Sequence, residues 1–199
     1  SDKLLLSLSC DGRLTQLGEG QDSELCIGLD FGTSTLKAAI NDTTLKRSYA
    51  VRFRDMPGID SYLLPCRLFK KGNVYSLEGG GKVFQDLKLS LLESPQSSVS
   101  QQRAVAFLAL AIRRIRGWLF SEYSSQYPGG IVWNITVGLP VARTNDPIVS
   151  DSYHRLVLAA WLASCDGSDQ ITGGLVENVL TRASELLSGV TPSNLVEDV

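Results

Sequence analysis

The residues of this chain that are best suited to chemistry lie in one stretch, "LCIGLDFGTSTLKAAI", at positions 25–40. An apolar run ends on Asp30, and a short turn then leads into a second, alternating run. In that turn Gly32 lets a ligand approach the backbone, and the hydroxyl groups of Thr33 and Ser34 add donors to an anion-binding concavity of amides. A carboxylate beside bare phosphate is repulsive, so Asp30 implies a bridging cation such as Mg²⁺, held through water.

The same residue types also suit an ordinary hairpin turn, because Asp, Gly, Thr and Ser are common turn formers. The stretch does not carry the GxGxxG fingerprint that opens a helix in dinucleotide-binding folds. A second glycine-rich segment, "EGGGKV" at 78–83, lacks the GxxxxGK[ST] spacing of a P-loop. From these residues alone, a phosphate site and a plain turn both remain open.

The elements that must position this turn follow from hydrophobic periodicity. Apolar and alternating runs predict strands over 25–30, 36–40 and 48–53, which together form an antiparallel meander. Helical spacing and a further apolar run predict a long helix, a strand and two more helices, over 99–123, 131–137, 150–164 and 175–187. A meander followed by a helix and another strand predicts an α/β fold with a mixed sheet and flanking helices.

Composition shifts divide the chain into three parts. Residues 1–24 predict an N-terminal hairpin, turning at Asp11-Gly12, and a polar linker. Residues 57–97 hold short strand-like pieces broken by proline and glycine, which predicts a small inserted subdomain. The main domain is then formed by 25–56 together with 98–199.

Charge, hydropathy and cysteine usage limit the partners. The 199 residues carry a net charge of -2, so the sequence predicts no nucleic-acid partner, which would need a basic face. The most apolar run, 104–112, is too short to span a membrane, so no membrane partner is expected. Four scattered cysteines, 10, 26, 66 and 165, predict free thiols and a cytoplasmic location. The single histidine, His154, is expected at the surface, and the tryptophans are expected in the core, at 118, 133 and 161.

The stretch "IGLDFGTSTLKAAI" resembles the first phosphate motif of the superfamily of actin, hexokinase and the 70-kDa heat-shock chaperone ATPases. That motif is an apolar strand, Asp-x-Gly-Thr-[Ser/Thr] and a second strand. By order and position the likeness continues through "LPCRLF", "VYSLEGG", "VFQDLKLSLL" and "ITVGLP", and it covers about residues 25–164. It implies a ribonuclease H-like, actin-like ATPase fold, and specifically lobe I of a heat-shock-chaperone-like ATPase.

The resemblance also implies roles for particular residues. Asp30 would orient water on Mg²⁺, and the turn Phe31–Ser34 would bind the phosphates of ATP or ADP. Lys88 matches the lysine that contacts the transferred phosphate, although it also suits an exposed surface lysine. The family's second phosphate loop has no match in this sequence, so we expect weak ATP binding and negligible hydrolysis by this chain alone. The expected partners are a second lobe or downstream domain and protein clients.

Two other functions stay open at this point. The "GLP" after the predicted strand is similar to actin-like filament proteins that segregate plasmids, which implies self-association with ATP. A non-catalytic interaction module could also have kept the fold and the first motif. The chain is therefore expected to act as an ATPase only where a second lobe completes the site.

Overall fold

The computed structural model describes residues 22–138 and 147–189 of the chain. Their strands and α-helices are, in chain order, β1 (Ser23–Phe31), β2 (Thr35–Asp42), β3 (Arg47–Ala50), β4 (Leu64–Pro65), β5 (Leu68–Lys71), β6 (Val74–Ser76), β7 (Lys82–Phe84), α1 (Leu87–Glu93), α2 (Ser98–Tyr123), β8 (Ile131–Val137), α3 (Pro147–Cys165), β9 (Ile171–Thr172) and α4 (Gly173–Ser188). Short 3-10 turns lie at Ile59–Tyr62 and Ser124–Gln126.

The main sheet is mixed and has β1 near its centre. Its order is β3-β2-β1-β8, and β4 pairs with the end of β2. β1 is antiparallel to β2 and parallel to β8, which confirms the predicted mixed α/β class. Alternate side chains of β1 are buried on the face that the helices cover: Leu25, Ile27, Leu29 and Phe31.

Helix α2 forms the centre of the helical layer. It contacts α1, α3 and α4 and lies against the sheet, where the ring of Phe107 stacks on Phe31 with centroids 5.8 Å apart. Small residues such as Ala104 and Ala111 are fully buried and allow the neighbouring elements to approach closely. The side chain of Ser97 caps the helix by accepting a hydrogen bond from the amide of Ser100, 3.3 Å away.

A second, smaller sheet has the order β7-β5-β6-β9. Its last strand, Ile171–Thr172, comes from the segment before α4 and pairs with β6. Conversely, β4 lies within the predicted insert, yet it pairs with β2 of the main sheet. Two strands of the predicted insert 57–97, β4 and β6, therefore pair with strands outside it, and the boundaries of the insert stay a prediction.

Most predicted elements are confirmed, with shifted ends. β1 begins at Ser23, two residues before the predicted start, and α3 begins at Pro147 rather than at 150. β3 ends at Ala50 and not at Phe53, because the chain leaves the sheet after the amide of Val51 bonds the carbonyl of Ala38. The predicted hairpin within 1–21 lies outside the described residues.

The part of the chain that the structure describes has no helix with both the length and the apolarity needed to cross a bilayer. Its cysteines, Cys26, Cys66 and Cys165, are free thiols, as the sequence predicts for them.

Candidate functional site

The turn between β1 and β2 is a tight hairpin whose loop consists of Thr33 and Ser34. The amide of Gly32 donates to the carbonyl of Thr35 at 3.0 Å. A Cβ atom on Gly32 would stand 2.5 Å from that oxygen, so the turn excludes any larger residue without a shift of the backbone. The Gly32 amide is thus used by the turn, and the loop's free backbone donors within the described residues are the amides of Thr33 and Ser34.

Asp30 lies at the edge of this turn with its side chain 67% exposed. Lys37 is its cross-strand partner on β2, and the Lys37 ammonium is 3.5 Å from the Asp30 carboxylate. An exposed pair of this kind contributes about 0–1 kcal/mol. The carboxylate of Asp30 is therefore free to exchange this contact for a hydrated cation.

Lys88 reaches the same turn from α1, 57 residues further along the chain. Its ammonium donates to the carbonyl of Phe31 at 2.5 Å, and the side chain is half-buried. An ammonium has three N–H donors, and this is the hydrogen bond that it makes within the described residues. Lys88 therefore places a positive charge at the predicted phosphate turn and keeps donors available there.

Cys66 supports the turn from beneath. Its amide donates to the carbonyl of Ser34 at 2.9 Å, and its thiol contacts the carbonyl of Gly32 at 3.5 Å. Burial raises the pKa of the Cys66 thiol to about 12, while the nearby Lys88 ammonium acts in the opposite direction. The thiol stays protonated and neutral, so Cys66 is a structural residue of the turn. No local sequence signal connects it to a turn that is 32 residues away.

A shallow groove of about 330 Å³ lies beside Asp30 on the exposed face of the main sheet. Three small residues, Ala39, Gly28 and Thr136, stand in register across three strands and form its floor. Asp30 and Lys37 form its rim. The sequence signal for this groove is the pair of small residues Gly28 and Ala39 in the strands on either side of the turn, which hydrophobic periodicity does not single out.

Another concavity, of about 490 Å³, lies between β8 and α3. It is lined in part by Trp133, Tyr153 and Trp161, and by the exposed His154. Trp118 is buried as predicted, but Trp133 and Trp161 are only half-buried, because β8 is the edge strand of the described sheet. Their prediction as core residues therefore holds only in part.

The donor set at the turn fits a water-mediated metal better than a direct one. Within the described ranges, no three His, Cys, Asp or Glu side chains converge to hold a metal ion. Mg²⁺ usually keeps several waters and takes one or two carboxylates together with phosphate oxygens. A single exposed carboxylate at Asp30, beside the free amides of Thr33 and Ser34, fits that arrangement.

The structure thus brings Asp30, the turn Phe31–Ser34 and Lys88 together in one place. Comparison with known proteins adds no relative, since no protein-family model, curated protein or solved structure matches the chain. Any function assigned to the site therefore depends on its geometry and on the motif.

Proposed function

We propose that this chain is a nucleotide-binding lobe of an actin-like ATPase of the heat-shock-chaperone type. It binds the phosphates of ATP or ADP at the turn Phe31–Ser34, with Mg²⁺ held through water by Asp30. The observation that carries the proposal is the contact between the Lys88 ammonium and the Phe31 carbonyl. The family resemblance independently assigns these two residues, which are far apart in the sequence, to one phosphate site.

The topology supports the ribonuclease H-like part of the proposal. An antiparallel meander, β1-β2-β3, is followed along the chain by the long helix α2 and by β8, which returns parallel to β1. This is the order that the resemblance implies for lobe I. The free thiols of the described cysteines support a reducing, cytoplasmic location.

The mechanism follows from what the turn can do. Phosphoryl transfer depends mainly on positioning and on stabilising charge, and both need groups on several sides of the phosphate. The amides and hydroxyls of Thr33 and Ser34 bind phosphate oxygens, and Lys88 neutralises charge on the transferred group. Asp30 would hold Mg²⁺ through water, and the ion would neutralise phosphate charge. The opposing contacts come from a second lobe, so this lobe alone binds nucleotide weakly and turns over negligibly.

The test is calorimetric titration of the chain with ATP, ADP and AMP in the presence of Mg²⁺. We expect weak binding of ATP and ADP, no detectable binding of AMP, and at least about a tenfold loss in Lys88→Met and Asp30→Asn. Lys71→Met, which removes an exposed lysine on another strand, is the matched control and should bind like the wild type. Equal affinity for ATP and AMP, or equal effects of the Lys88 and Lys71 variants, would reject the site.

One observation favours the interaction module as a second candidate. Lys37 contacts Asp30 and Lys88 contacts the Phe31 carbonyl, so both cations at the turn already have protein partners. These contacts also suit a turn with a purely structural role. In a pure interaction module Asp30→Ala would leave stability and partner binding unchanged and nucleotide binding absent. A filament-forming relative would instead sediment with ATP, which a pelleting assay on the same preparation detects.

A further inference from the structure

One face of the small sheet gathers three cations, which we call the Lys70 face: Lys70, Lys82 and Arg103. Lys70 on β5 lies directly opposite Lys82 on β7 in the antiparallel register. The Lys70 ammonium stands 4.9 Å from the centre of the Tyr75 ring on β6, and that of Lys82 stands 5.4 Å from the Phe84 ring. The strand pairing therefore places two lysines side by side, each held over an aromatic ring.

Arg103 joins this face from α2. Its guanidinium carbon is 4.0 Å from the centre of the Phe84 ring that also carries Lys82. None of the three cations forms an ion pair with a described residue. Two aromatic rings thus position three positive charges, and no carboxylate of the described residues lies within ion-pair distance of them.

The net charge around the Lys70 face is positive, whereas that of the whole chain is negative. Residues 66–87 hold four Lys and Arg residues but two Asp and Glu residues, a formal +2, whereas the full chain carries -2. Like charges directly opposite each other destabilise an antiparallel strand pair. The two lysines stay opposite each other in spite of this repulsion, which favours an anionic ligand between them.

The glycine turn that precedes Lys82 adds backbone donors. Gly79 and Gly81 have φ angles of 120° and 111°, a conformation that favours glycine. A Cβ atom on Gly81 would collide with the carbonyl oxygen of Lys70, so the turn packs directly on the strand that carries this lysine. The amides of Gly79 and Gly80 have no hydrogen-bond partner within the described residues. Exposed amides in such a turn can donate to an oxyanion.

We propose that the Lys70 face binds a ligand with two or more linked phosphate groups. The three cations neutralise the phosphate chain, and the glycine turn donates to its oxygens. Because three cations demand several negative charges, linked phosphates fit better than a single phosphate. The cations of the Lys70 face lie on β5, β7 and α2, whereas the Asp30 turn joins β1 to β2 and is contacted by Lys88 of α1, so the two sites use different residues. With no carboxylate among its ligands, it needs no metal ion.

The probe is inorganic tripolyphosphate, titrated into the chain by calorimetry at low salt with a chelator present. We expect binding by the wild type and at least a tenfold loss in the double variant Lys70→Gln/Lys82→Gln. Lys71→Gln is the matched control, because it removes the same charge from the next residue, on the opposite side of β5. It should lose less than twofold.

Four results would overturn the proposal. The first is absence of tripolyphosphate binding by the wild type, with fold confirmed by circular dichroism. The second is an equal loss in Lys71→Gln, which would indicate diffuse charge attraction. The third is binding of inorganic phosphate or of a neutral phosphoserine peptide as tightly as tripolyphosphate, which would exclude a linked-phosphate ligand. The fourth is loss of binding in Lys88→Met, which would place the probe at the nucleotide turn. If the double variant does not fold, Phe84→Leu replaces it in the test. This variant removes only the ring beneath Lys82 and Arg103, and it should also weaken tripolyphosphate binding.

Discussion

Two aspartates near opposite ends of the β1–β2 pair have opposite environments. Asp30 is exposed and makes one long contact with Lys37. Asp42 is 1% exposed, and its carboxylate accepts hydrogen bonds from the hydroxyl of Tyr127 at 3.0 Å and from the amide of Leu45 at 2.8 Å. One carboxylate is committed to the structure, and the other is left available for a ligand.

The difference separates a carboxylate that stabilises the fold from one that binds a ligand in the proposed function. At the Asp42 end, the Tyr127 hydroxyl also lies 3.0 Å from that of Tyr49, so neighbouring strands and the segment after α2 meet in one hydrogen-bonded network. At the Asp30 end, the hydroxyl side chains of Thr33 and Ser34 face solvent. A buried carboxylate needs hydrogen-bond donors from the fold, whereas an exposed carboxylate is hydrated by solvent and needs none.

The largest expected effect comes from removing the buried carboxylate. Asp42→Ala should destabilise the fold by about 3 kcal/mol, because the Leu45 amide loses its acceptor and a cavity forms beside Tyr127. Asp30→Ala is the matched control and should change stability by less than about 0.5 kcal/mol. Urea unfolding followed by circular dichroism measures both. Equal losses in the two variants would break the distinction between the two ends.

A smaller loss is expected at the turn itself. Gly32→Ala should destabilise the chain by about 2 kcal/mol, because the added Cβ meets the Thr35 carbonyl oxygen and the hairpin must open. Gly138→Ala is the control, since its Cβ would lie 3.7 Å from the Leu29 carbonyl oxygen, an ordinary contact. Thermal unfolding compares the two. A neutral Gly32→Ala would mean that the turn does not constrain its backbone as the geometry requires.

Alkaline pH should lower the free energy of unfolding through one group at each end of the β1–β2 pair. Burial raises the pKa of Cys66 from 9.0 to about 12, and burial, with hydrogen bonds to Tyr49 and Asp42, raises the pKa of Tyr127 above 10.0. Each group stabilises the fold fully below its unfolded pKa, and the contribution is lost as pH rises, because the unfolded chain releases the proton first. The slope is about 1.4 kcal/mol per pH unit for each group in its window.

Urea titrations from pH 8 to pH 11 test this pH dependence in the wild type, Cys66→Ala and Tyr127→Phe. Cys66→Ala should remove the part of the loss that begins near pH 9, and Tyr127→Phe the part that begins near pH 10. An unchanged slope in both variants would show that other groups cause the alkaline loss.

The smallest effect is expected from the exposed ion pair. Lys37→Met should change the free energy of unfolding by less than about 0.5 kcal/mol, because both partners are largely exposed and the 3.5 Å contact is screened by water and salt. Measurements at low and high salt should then agree within the same range. A loss above about 1 kcal/mol would mean that the Asp30 end also serves stability, which would remove the contrast with Asp42.

The sequence predicts local elements well where periodicity is strong. Helix α2 is confirmed within one residue of its predicted start, because apolar residues repeat at helical spacing and Ser97 caps the first turn. Periodicity does not predict the short strand β9, since two residues carry no periodic signal and their extended form depends on pairing with β6. The third strand ends three residues before its predicted end, because Val51 makes the last bond to β2 and the chain then leaves the sheet, although Val51 and Phe53 are buried.

For the candidate site, the sequence by itself predicted the turn at Asp30–Ser34 and a close approach to the backbone at Gly32. Both follow from the chemistry of neighbouring residues, which needs no knowledge of the rest of the fold. Only the tertiary structure decided that Lys88 donates to the Phe31 carbonyl, that Cys66 lies at that turn, that Lys37 pairs with Asp30, and that Lys70 faces Lys82. Those contacts join residues that are far apart in the chain or on different strands. They depend on strand register and helix packing, which burial of the whole core fixes together.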